Sequence, residues 1–247
     1  MIPSDDREQE ERWTEHFREI PNKPPPEEDA DIPEAADDLD INTARPEKEE
    51  IIKASKSLKN GEAHDNLNTE FFKADPELAA TVMQPLFAAI WEGGEVPADW
   101  TKGVIRITKK GALSDCNNWR GITLLSVPSK ILAKIVIKRI SDAVDAGMRK
   151  EQAGFGKERG CTDHITLRNI TEQCTESQRQ LYINFVDFEK AFDSIHRDSL
   201  RRILRAYGIA LHIVQIIKSY LDFTCIVGSS SLNSRVKTGM CHACVPF

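Results

Sequence analysis

The stretch Leu181-Tyr182-Ile183-Asn184-Phe185-Val186-Asp187-Phe188-Glu189-Lys190-Ala191-Phe192-Asp193 decides how the rest of the chain is read. Its first six residues are rich in β-formers and predict a strand, which would deliver the following acid to the rim of a sheet. A sheet rim is a common location for a metal ligand or a catalytic group. Asp187 could equally cap the helix that follows, so the local pattern leaves both readings open.

Working outward, helical spacing is read from about Pro46 to Leu58, with Ile51, Ile52, Ser55 and Leu58 on one side and Asn60-Gly61 as the stop. Further helices are predicted over Leu78 to Trp91, Ser129 to Ala146, Thr162 to Ser177, Arg197 to Tyr207 and Leu211 to Leu221, the last two broken apart by Gly208. Gly103 to Thr108 alternates and is rich in β-branched residues, which predicts a strand; Thr224 to Gly228 and Ser234 to Thr238 predict a hairpin. Strands mixed irregularly with long helices indicate the α+β class.

The chain has 247 residues and a formal net charge of -6, which at first argues against a nucleic-acid partner. That average hides an asymmetry. Residues 1–50 hold 18 acidic and 6 basic residues, whereas 51–247 hold 21 acidic and 27 basic, so a body at +6 follows a segment at -12. The acidic, proline-rich run from Pro24 to Asp40 has little apolar material and repels itself, so residues 1–46 are read as a mostly disordered linker. A short helix over Glu8 to Ile20, with Trp13 and Phe17 four apart, is expected within it. The basic residues Lys102, Arg106, Lys109, Lys110 and Arg120, followed by Lys130, Lys134, Lys138 and Arg139, form a candidate phosphate-binding face.

No apolar run approaches the roughly 18 residues of a membrane span, and the first residues lack the pattern of a secretory leader. The 6 cysteines are scattered, which suits reduced thiols. The expectation is an intracellular protein, nuclear or cytoplasmic, without a membrane partner.

The Asp187 stretch resembles motif A of reverse transcriptases of non-LTR (LINE-type) retrotransposons, and the resemblance extends over most of the chain. It is carried also by Pro97-Ala98-Asp99-Trp100, Lys109-Lys110-Gly111, Cys116 to Ser126 (Cys-Asn-Asn-Trp-Arg-Gly-Ile-Thr-Leu-Leu-Ser), Glu151-Gln152-Ala153-Gly154-Phe155, Cys161-Thr162-Asp163 and Thr238-Gly239. It implies a partial right-hand polymerase fold, with fingers over 47–180 and an incomplete palm over 181–247. It implies Asp187 as a catalytic metal ligand for Mg²⁺, assisted by the backbone carbonyl of Phe188, and Phe192 as the steric gate against a ribose 2′-hydroxyl. Lys109, Lys110 and Arg120 would face the triphosphate or template, and Gln152 and Phe155 would line the template path. The implied partners are an RNA template, a DNA primer and dNTPs. Such roles meet the needs of nucleotidyl transfer, which calls for cations on the triphosphate and two metal ions on the reacting oxygens.

Departures from the family pattern are equally specific. The aromatic-Ala-Asp-Asp turn of motif C is absent from the 247 residues; Ala36-Asp37-Asp38 copies three letters but precedes motif A and lacks flanking strands. The Gly-Val-Arg-Gln-Gly-Cys run of motif B reads Gly239-Met240-Cys241-His242-Ala243-Cys244, and an earlier motif survives as Gly61-Glu62-Ala63-His64-Asp65. A single carboxylate holds two divalent ions poorly. The expectation is a reverse transcriptase fragment, truncated before motif C, that is inactive alone. Alternatives are a non-catalytic RNA- or DNA-binding module, and a polymerase active only when the missing motif C and thumb are supplied. The strand Leu181 to Val186 would then expose an apolar edge and limit solubility.

Overall fold

The computed structural model describes residues 31–60, 67–109, 119–149, 162–187, 195–221, 224–227 and 235–236. Among these, helices dominate, and four short strands form one mixed sheet. In chain order the elements are α1 (Lys48–Ser57), α2 (Thr69–Ala74), α3 (Pro76–Gly93), β1 (Lys102–Lys109), β2 (Trp119–Leu124), α4 (Val127–Val144), α5 (Thr162–Glu176), α6 (Arg197–Ala206), α7 (Leu211–Leu221), β3 (Thr224–Val227) and β4 (Arg235–Val236).

Local chemistry sets the helix ends. Asp75 accepts a hydrogen bond from the Leu78 amide at 3.0 Å, and Pro76 occupies the first turn of α3, where a missing N–H costs nothing. The same helix stops at Gly94, whose φ of 68° lets its amide reach the Ile90 carbonyl at 2.8 Å. Pro85 lies inside α3, but it and Thr81 are both exposed, so the carbonyl it deprives of a donor can face water. In α4, Ser126 caps the Ser129 amide and Val127, Ile131, Leu132, Ile135 and Val136 are buried at helical spacing.

One apolar core joins α1, α3, α4 and α7. Phe87, Ile51, Ile131, Leu132, Ile213 and Ile216 are fully enclosed, and Phe87 meets Trp100 edge to face with ring centroids 6.1 Å apart. The sheet has the order β2-β1-β3-β4; β1 runs antiparallel to β2 and parallel to β3, and β3 antiparallel to β4. A parallel pair needs a long crossover, and α4 to α7 lie between β1 and β3 in the chain.

Three expectations require correction. Residues 181–187 form neither helix nor strand and belong to no ladder, and Tyr182, Phe185 and Val186 are 88%, 78% and 70% exposed. β-Propensity alone cannot make a strand where no neighbour supplies the hydrogen bonds. The second correction concerns the acidic segment: residues 31–46 are not disordered but lie along the body, with Ile41 buried and Arg205 paired to Glu34 and Asp38. Cations and two apolar side chains of the segment, Leu39 and Ile41, overcome the self-repulsion that composition suggests. The helix expected over Glu8 to Ile20 lies outside the described residues.

Third, the basic residues of α4 do not form a common phosphate-binding face. Arg139 is only 5% exposed; its Nε and Nη2 donate to the two carboxylate oxygens of Glu50 at 2.9 and 2.6 Å. Its Nη1 donates to the carbonyls of Asn42 and Ala44, and its guanidinium stacks 4.9 Å from the Trp91 ring centroid. Lys134 donates to the Ser57 carbonyl at 2.9 Å, and Lys138 pairs with Asp142 one turn away. Burial, with the charge of Lys73 in addition, lowers the pKa of Lys134.

Glu50 carries a pH consequence. Burial pushes its carboxyl up, but the hydrogen bonds from Arg139 and the Glu47 amide, with the charges of Arg139 and Lys53, outweigh this and hold it below its ordinary 4.5. Folding therefore favours the carboxylate: the stabilisation is present above the unfolded value and disappears as pH falls through the folded one. Melting temperature is expected to drop with acid below about pH 4.5, and Glu50→Gln to flatten that limb; parallel wild-type and variant curves would contradict this assignment.

Candidate functional site

The candidate residues come from two places in the fold. β1 and β2 form the first, and their antiparallel register sets Lys109 opposite Trp119 and Thr108 opposite Arg120. Lys109 and Arg120 are thus one register step apart at the same end of the ladder, although 11 positions separate them in sequence. Paired positions share a face and successive ones alternate, so Lys109 with Trp119 and Arg120 with Thr108 occupy opposite faces of the two-stranded ladder.

Asp187 is the second. It lies in the irregular stretch 181–187 and is exposed. A divalent ion takes six or more oxygen ligands, and a two-ion centre shares several carboxylates. Among the described residues no group of three or more His, Cys, Asp or Glu is placed to hold a metal ion, so those residues alone do not fit such a centre. Lys110, Gln152, Phe155, Phe188 and Phe192 lie outside the described residues, as do the segments Gly61 to Asp65 and Gly239 to Cys244.

Sequence reasoning missed α2, β2 and the placement of residues 31–46. The run Trp119-Arg-Gly-Ile-Thr-Leu124 is quoted above only as a motif, since a central Arg-Gly pair interrupts the apolar alternation that marks a strand. For residues 34–41, the signal available was Leu39 and Ile41 in alternation and Glu34 and Asp38 four apart, both submerged in acidic composition. No helix among the described residues is long and apolar enough to cross a membrane.

Comparison with known proteins gives the chemistry a family. The chain is similar to the Retrovirus-related Pol polyprotein from type-1 retrotransposable element R2 of Popillia japonica, 32% identical over 118 residues, which is 47% of this chain and 16% of that protein. It is similar to the Transposon TX1 uncharacterized 149 kDa protein of Xenopus laevis, 27% identical over 166 residues, covering 66% of this chain and 13% of the relative. A third relative, the Retrovirus-related Pol polyprotein from type-2 retrotransposable element R2DM of Drosophila melanogaster, is 32% identical over 117 residues, 47% of this chain and 10% of its own length. The chain therefore spans between about a tenth and a sixth of the curated relatives it matches. The family described as reverse transcriptase (RNA-dependent DNA polymerase) matches residues 107–246, more than half of the chain. With Lys109, Arg120 and Asp187 all inside the matched region, the chain belongs to the reverse transcriptase family, as part of a non-LTR retrotransposon reverse transcriptase domain.

Proposed function

We propose that this chain contributes the fingers and the first part of the palm of an RNA-directed DNA polymerase and that residues 1–247 by themselves do not extend a primer. The observation that carries the reading is the match of residues 107–246 to the reverse transcriptase family, within which Lys109, Arg120 and Asp187 all fall. In this reading Lys109, Lys110 and Arg120 hold the triphosphate or template phosphates, and Gln152 and Phe155 line the template path. Phe192 screens the sugar. Asp187 and the Phe188 carbonyl supply part of a Mg²⁺ site whose remaining carboxylates are not among these residues. Template RNA, primer DNA and dNTPs are the corresponding partners.

The absence of an aromatic-Ala-Asp-Asp run from the 247 residues supports inactivity of this polypeptide alone, since one carboxylate cannot neutralise two divalent ions. Purified residues 1–247, given an RNA template, an annealed DNA primer, dNTPs and Mg²⁺ or Mn²⁺, are expected to yield no extended product. Templated extension that Asp187→Ala abolishes would overturn the inactivity and keep the polymerase assignment.

A further inference from the structure

We infer that residues 34–45 form a strap with one permanent anchor and one electrostatic latch, and that opening the latch releases residues 34–40 from the body.

The anchor lies at the C-terminal half of the strap. The carbonyls of Asn42 and Ala44 accept from Arg139 Nη1 at 2.8 and 2.7 Å, and the carbonyl of Thr43 accepts from Trp91 Nε1 at 2.7 Å. Ile41 is buried in the core cluster beside them. These donors come from enclosed side chains, so salt screens them little.

The latch lies at the N-terminal half, where Arg205 of α6 binds two carboxylates at once. Its Nη1 lies 2.8 Å from Asp38 and its Nη2 lies 3.2 Å from Glu34. The Glu34 and Asp38 side chains are 67% and 49% exposed, so mobile ions reach both pairs, and exposed pairs of this kind are weak and screened by salt. Two backbone bonds close over the same spot: the Ala35 amide donates to the Arg205 carbonyl at 3.2 Å and the Leu39 amide to the Gly208 carbonyl at 2.7 Å. Gly208 permits the close approach, since at its φ of 78° a Cβ would stand 2.9 Å from the Asp37 carbonyl oxygen.

The two ends therefore differ in what holds them. Chloride or another anion competing at Arg205 removes the charge pairing and leaves two backbone hydrogen bonds and the packing of the half-buried Leu39, while the Arg139 and Trp91 contacts persist. Residues 34–40, once released, could extend over roughly 25 Å, at 3.3–3.6 Å per extended residue.

Amide hydrogen exchange on the whole chain tests this, with NaCl raised from ~0.05 to ~0.5 M, across which the Debye length shrinks below about 10 Å. Exchange at Ala35 and Leu39 is expected to rise on the order of tenfold, as for opening of a local unit, while Ala44 and the α4 amides keep their rates. Arg205→Gln should show fast exchange at Ala35 and Leu39 already at low salt, with the salt dependence gone. The Glu34→Gln, Asp38→Asn double variant alters only exposed side chains and should reproduce that result if Arg205→Gln does not fold. Salt-independent protection of Ala35 and Leu39 in the unmodified chain would overturn the latch, as would wild-type protection in the double variant.

Discussion

Replacing Arg139 by Met lowers the unfolding free energy by about 3–5 kcal/mol, the range for removing one partner of a buried ion pair. The side chain is 5% exposed and donates to both Glu50 oxygens and to two backbone carbonyls, so its loss strands a partly buried carboxylate and two acceptors together. The thioether retains most of the apolar stem but none of the donors. The pair itself is worth less than this number suggests, because much of the loss is the penalty on what remains. A double variant, Arg139→Met with Glu50→Gln, should therefore recover part of the stability. Urea denaturation of the four proteins measures this; an Arg139→Met midpoint equal to wild type would show that the guanidinium is not holding α4, α1 and the strap together.

Phe87→Ala is expected to cost a similar 3–5 kcal/mol, for a different reason. Phe87 is fully buried in α3, its ring edge meets Trp100, and it sits in a cluster with residues of α1, α4 and α7. Truncation removes a large apolar surface from contact and leaves a cavity that helices tied at their ends cannot collapse. Phe87→Leu should recover more than half of the loss, since it refills most of the volume. Thermal melts separate the two mechanisms: the Arg139 variant loses the acid limb that depends on Glu50, whereas Phe87→Ala keeps its shape and shifts the whole curve down. A Phe87→Ala protein melting with the wild type would mean that the core is not continuous through α3.

Much of the helical framework was legible. Leu132, Val136 and Ile140 repeat at helical spacing, Gly208 separates α6 from α7, and Gly93-Gly94 stops α3, each by local chemistry that no tertiary contact need supply, whereas the start of α3 at Pro76 was read two residues late, at Leu78. The strand Lys102–Lys109 and the pair Thr224–Val227 and Arg235–Val236 were legible for the same reason. The candidate site was legible only in part: the residue types at Lys109, Arg120 and Asp187 could be picked out, but their neighbours in space could not.

Sequence by itself determined five of the helices among the described residues besides the one near Pro46, the family to which Asp187 and its company point, and that an aromatic-Ala-Asp-Asp run is missing from these residues. Those are properties of short windows and of motif order. Only the tertiary structure decided that Lys109 and Arg120 share a ladder end and that β1 and β3 run parallel. It likewise decided that Leu181 to Val186 form no strand, and that an acidic segment expected to be disordered is strapped to the body. Each of these depends on a partner distant in the chain: a strand exists only with a neighbour to bond, and the charges at Glu34, Asp38 and Glu50 repel or hold according to whether Arg205 and Arg139 are folded against them.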